Sequence, residues 1–238
     1  MLLLSVILVT VFWLALSKLG ITFNFSFLPA YRIRLAHGYL MTFALSAASL
    51  LLSLALGIVS AALQSCRILV PRYLAKLYVT VIRGTPLIMQ VYLFYYIVWT
   101  AFGVTNRFLC GVLILSVFEG AYIAEIIRGS LLSMDNTQLE AAKAVGFTRK
   151  QITTLVVLPQ LTARTLPALT GQFASIIKDS SLLSVISMIE LTQTIREITA
   201  ANFKLFESYI FLGILYLTMT LPIMYMSKRL ELRFSYEN

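Results

Sequence analysis

Five apolar stretches, near residues 39–63, 77–101, 108–128, 165–190 and 208–227, constrain this chain more than anything else in it. A helix of about 22 residues rises about 33 Å, enough to cross the hydrocarbon core of a bilayer. No water is available there to satisfy free backbone groups, so only helices or closed barrels can span. Barrel strands read as alternating segments of about ten residues, which these runs are not. Composition agrees: 59% of the chain is hydrophobic and 12% charged, where soluble domains carry about a quarter charged residues. A further apolar run, Met1 to Ser17, lacks the basic leader of a signal peptide and is expected to be an uncleaved extra helix. The expected fold class is therefore an all-α integral membrane protein with six transmembrane helices. Gly20 to His37, with Phe23, Phe25 and Phe27 alternating with polar residues, suits an aromatic interfacial connector or a short extended strand.

Cations set the orientation. Net charge is +9, and a basic balance can signal nucleic acid, but here Lys and Arg gather at the ends of apolar runs. Nucleic acid is excluded as a partner on that ground. With the C-terminus in the cytoplasm, eleven cations fall in inside loops and six outside, so residues 134–160 face the cytoplasm. His37 is the sole histidine, and Cys66 and Cys110 have no metal or redox spacing, so no metal site is expected. No G-x-x-x-x-G-K-[ST] motif is present, so ATP and Mg, if used, belong on another chain.

The 134–160 stretch, MDNTQLEAAKAVGFTRKQITTLVVLPQ, reads as two short helices with a hinge. Asn136 or Thr137 can cap the first, whose Leu139, Ala142 and Val145 share a face. Gly146 suits a left-handed C-terminal cap. Thr148 and Gln151 make a capping box for the second helix, and Pro159 is expected to end it. Ala141, Ala142 and Ala144 keep the first helix thin, fit for a groove on a partner or for lying on the membrane surface.

Glu140-Ala141-Ala142, then Gly146, then Leu158-Pro159 resembles the EAA loop of bacterial ABC importer permeases. The match extends to the polar amino-acid branch through Arg83-Gly84-Thr85-Pro86-Leu87 with Gln90. Further pieces are Ala121-Tyr122-Ile123-Ala124-Glu125 with Arg128-Gly129, and Lys178-Asp179-Ser180-Ser181-Leu182 with Glu190-Leu191. The resemblance covers roughly residues 38–230, in the family's order. It implies an extra helix and connector over 1–37, a permease domain over 38–230 and a cytoplasmic tail over 231–238. It also implies a place in the bacterial inner membrane. The implied partners are ABC ATPase subunits, a second permease subunit and an extracytoplasmic substrate-binding protein. Glu140, Ala141, Ala142, Ala144 and Gly146 would be the contact that couples ATP hydrolysis to an amino-acid path.

Charges within the apolar runs mark where that path could lie. Glu119 sits near the middle of its span, where a carboxylate costs roughly 2.5–3.5 kcal/mol unless paired or wet. It has no partner in its own helix, and the family more often has a small polar residue there. It either lines a path for a cationic amino acid or bonds to a hydroxyl on a neighbouring helix. Tyr122 is three residues from both Glu119 and Glu125, and Glu125 is expected to pair with Arg128. Lys178-Asp179-Ser180 interrupts the fourth span, as a broken helix facing a cavity or as a tight structural turn. Gly84 and Pro86 are positioned to kink the second span, with Arg83 expected to reach the headgroups. An ion-driven transporter or a membrane-embedded enzyme using Glu119 or Asp179 is the alternative class. It leaves the Glu140 loop without a task.

Overall fold

The computed structural model describes residues 23–235 together with Ile7, Thr10, Val11, Leu14 and Lys18. The expected N-terminal helix therefore lies, but for those five positions, outside the described residues. Among the described residues all regular structure is helical. A 3-10 turn, Leu28–Tyr31, leads into α1, Arg32–Gln64, so the described part of the aromatic connector contains no strand. Then come α2 (Leu69–Gly84), α3 (Leu87–Leu93, prolonged by a π segment Phe94–Trp99) and α4 (Arg107–Leu132). The loop holds α5 (Asn136–Ala144) and α6 (Arg149–Gln151); a π segment, Ile152–Val157, joins α6 to α7 (Leu158–Asp179). A 3-10 segment, Ser180–Ile186, precedes α8 (Leu191–Asn202) and α9 (Leu205–Ser235).

Of the expected crossings, three described helices are long and apolar enough by themselves: Leu28–Gln64, Arg107–Leu132 and Leu205–Arg233. Residues 77–101 are not the single span expected. Leu69–Gly84 and Leu87–Trp99 meet at a 110° bend and make a fourth crossing only as a pair. Pro86 has no N–H to give and holds Thr85 extended, so the helix stops at Gly84 and restarts. The side-chain amide of Gln90 bridges the break, donating to Ile82 O and Thr85 Oγ1, both at 2.8 Å.

The hub is α4, packed along α1. Their contact is a seam of small residues on α1: Thr42, Ser46, Ser49, Ser53, Gly57 and Ser60 are all buried. Small side chains let membrane helices approach until backbones nearly touch, which replaces the hydrophobic drive missing in lipid. The Ser116 hydroxyl donates across the seam to Ser49 O at 3.2 Å. At the other end of α1, the Leu191 N–H donates to Thr42 Oγ1 at 3.0 Å, pinning the start of α8.

Candidate functional site

Two clusters of charge lie on opposite flanks of α4. Six residues at 100° each turn Glu125 about 120° from Glu119, so the two acids face different neighbours. Glu119 is fully buried and faces α7, where the Gln172 amide donates to its Oε2. The neighbouring partner is thus an amide, not the hydroxyl that one of the two readings offered. Oε1 of Glu119 meets no donor among the described residues. The Asp179 carboxyl, at the last position of α7, lies beside that of Glu119. Two carboxyls this close cannot both stay ionised unless a proton or a cation sits between them. Asp179 is half-buried and Lys178 beside it is exposed. Ser180 is buried, with its hydroxyl donating to Ile177 O at 2.7 Å.

The fourth span breaks within the stretch expected: α7 ends at Asp179 and the chain then tightens into the 3-10 segment. Ser187, in the left-handed region at φ 55°, ends that segment. The chain then turns at Glu190, whose buried carboxylate caps α8 by accepting from the Thr192 and Gln193 N–H groups and from Tyr216.

On the other flank, Arg128 holds Glu125 through Nε at 2.8 Å and through its second nitrogen. Arg83 joins them, 3.6 Å from Glu125 Oε1 and with its guanidinium 5.4 Å from the Tyr122 ring. Arg83 is therefore tied into the protein and does not simply reach for headgroups. Tyr122 packs on Phe118 and under Arg83, so it belongs with Glu125 and bonds to neither acid.

In the loop, the N-cap of α5 is Asp135, one residue before the expected positions. Its carboxylate accepts from the Thr137 N–H and hydroxyl, and those bonds hold its pKa below the ordinary aspartate value. Gly146 sits at φ +83°, and the Gly146 and Phe147 N–H groups bond back to Lys143 O and Ala142 O, which closes a Schellman cap. The Thr148–Gln151 capping box is formed. Pro159 does not end its helix. The π segment ahead of it, in which the Leu158 N–H reaches back five residues to Thr153 O, widens the turn, and the rod continues into α7. Ala142 is buried toward that rod, whereas Glu140, Ala141 and Ala144 point out and Val145 is 77% exposed. Gln160 donates to Gln138 at 2.6 Å, which straps α5 to α7, and Arg164 donates to Ser133 O at 2.5 Å, which straps the end of α4 to α7.

Sequence reading missed Gln172, although an amide inside the apolar 165–177 run could have flagged it. It also missed the α1 seam, legible as small residues every three or four positions from Thr42 to Ser60.

The chain is 35% identical over 201 residues to the glutamine transport system permease protein GlnP of Escherichia coli (strain K12), covering 84% of this chain and 92% of GlnP. Over 169 residues it is 36% identical to the L-cystine transport system permease protein TcyB of Bacillus subtilis (strain 168), covering 71% of this chain and 72% of TcyB. A crystal structure of an amino acid ABC transporter with histidines superposes with a TM-score of 0.83 at 32% identity, covering 90% of this chain and 100% of that one. The inward-facing MetNI methionine ABC transporter, at 17% identity and a TM-score of 0.73 over 86% of this chain and 98% of that one, shares the fold. Residues 53–236 match the family described as the binding-protein-dependent transport system inner membrane component, and the chain belongs to that family.

Proposed function

We propose that this protein is the translocation subunit of an ATP-driven amino-acid importer in a bacterial inner membrane, and that it favours cationic cargo. The observation that carries the coupling half is α5. It presents Glu140, Ala141 and Ala144 outward while Ala142 anchors it, and a thin helix held this way suits a cleft on an ATPase. Gly146 sets the angle at which α5 leaves the rod. ATP and Mg belong to that partner. A second permease subunit and an extracytoplasmic binding protein complete the assembly, as the family implies.

The cargo half rests on Glu119 and Asp179. Relatives named for glutamine and cystine, and a structural neighbour solved with histidines, support an amino acid as cargo. Two acids sharing a buried spot without a donor between them favour a guanidinium or ammonium side chain. Glu125, which is neutralised by two arginines, and Tyr122 would shape the cytoplasmic exit rather than grip the cargo. Lys178 and Ser180 flank the site at the end of α7. The ion-driven and enzymatic alternatives have no observation in their favour.

The test is uptake by the reconstituted assembly. Glu119→Gln keeps the shape and the bond to Gln172 but removes the charge. It should lower uptake of arginine or lysine at least tenfold relative to glutamine. An unchanged ratio of cationic to neutral uptake would remove Glu119 from cargo selection.

A further inference from the structure

Apart from the acid pair and α5, a cavity of ≈ 570 Å³ opens where the ends of α1 and α4 meet α2. Its polar lining is Gln64, Lys76, Thr80, Arg83, Glu125 and Arg128. Three cations face one carboxylate there, and that carboxylate is already held by Arg128 and Arg83. Lys76 is exposed and has no ion pair among the described residues. Gln64, the last residue of α1, is only 8% exposed, yet its side-chain Nε2 has no acceptor among the described residues. A buried amide donor left open beside surplus positive charge calls for an anionic oxygen.

The outer face of α2 says where that oxygen comes from. Val70, Tyr73, Leu74, Leu77 and Val81 recur at helical spacing and are all about half exposed or more. Ala75, Val79 and Ile82 on the opposite face are buried. A greasy stripe beside a basic cavity, at the ends of two membrane helices on the side rich in Lys and Arg, matches acyl chains below a phosphate.

We infer that this cavity binds the phosphate headgroup of an anionic lipid of the cytoplasmic leaflet, with the acyl chains along the Val70–Val81 stripe. Lys76 supplies the charge, Gln64 the amide donor, and Arg83 and Arg128 the background field. A lipid seated here braces α2 against α1 and α4, just before the 110° bend.

The experiment is native mass spectrometry of the full chain in neutral detergent, titrated with phosphatidylglycerol or phosphatidylcholine. Phosphatidylglycerol should be retained preferentially. Lys76→Ala should weaken it about fivefold, the worth of one cation near a lipid surface. Gln64→Leu should also weaken it, while Arg229→Ala, which removes a cytoplasmic cation on α9, should not. Excess inorganic phosphate should leave the lipid bound. Equal retention of the two lipids, or an equal loss in Lys76→Ala and Arg229→Ala, would overturn the site. Displacement by inorganic phosphate would instead show a free-anion pocket and overturn the lipid assignment. Glu119→Gln should leave retention untouched, which separates this result from the cargo test.

Discussion

At residue 57 a single hydrogen lets the two central helices touch. A Cβ built on Gly57 would meet Ile123 Cγ2 at 2.4 Å and the Ala124 backbone nitrogen at 3.2 Å. Ile123 is β-branched and stiff, so it cannot swing aside. Gly57→Ala should therefore spread α1 from α4 and destabilise the fold by about 1–3 kcal/mol. Gly129 in α4 meets nothing within 4 Å, and Gly129→Ala should be neutral or slightly stabilising. Thermal unfolding in detergent compares the two; equal melting points would mean the seam is not close-packed. The same scale shows what a sequence can and cannot disclose. A lone acid in a span announces that it needs company, and Glu119 has it. Which side chain supplies that company is a tertiary fact, so the amide of Gln172, 53 positions away, replaces the hydroxyl the sequence suggested.

At the scale of elements, local chemistry was legible and continuity was not. Gly146 and the Thr148–Gln151 box act within a few residues, and both stand where the pattern of residues places them. Pro159 was misjudged because a π turn upstream absorbs a proline that would otherwise clash four residues back. The bend at Gly84–Pro86 was read as a kink, and it amounts to 110° because Thr85 is fully extended. The loop offers a clean test. Gly146 lies in the left-handed region, where a side chain costs roughly 1–2 kcal/mol. Gly146→Val should fray the Schellman cap and change the angle of α5 while leaving the membrane core intact. The expected outcome is an assembly that still binds its ATPase more weakly and hydrolyses ATP with little transport. Full transport at unchanged ATPase affinity would mean that the angle of α5 is not set at Gly146.

Across the whole molecule, α5 and the acid pair lie at opposite ends of one rod. α7 runs unbroken from Leu158 to Asp179, about 33 Å at 1.5 Å per residue. Near its Leu158 end it is fastened to α5 by Gln160–Gln138 and to the end of α4 by Arg164–Ser133, and at its far end Asp179 meets Glu119 on α4. A push on α5 therefore reaches the acids by moving a rigid element, without a chain of soft contacts between. Arg164 is half-buried and makes both its bonds to Ser133, away from the acid pair, so Arg164→Ala should leave folding and cargo affinity unchanged. What should change is the ratio of ATP hydrolysed to amino acid moved, which should rise several-fold as the end of α4, where the chain leads into α5, slips against α7. The ratio is read in proteoliposomes holding the full assembly, with cargo binding measured separately. If Arg164→Ala together with Gln160→Ala keeps the wild-type ratio, force does not travel along α7, and the π segment at Ile152–Val157 becomes the place to look for the joint.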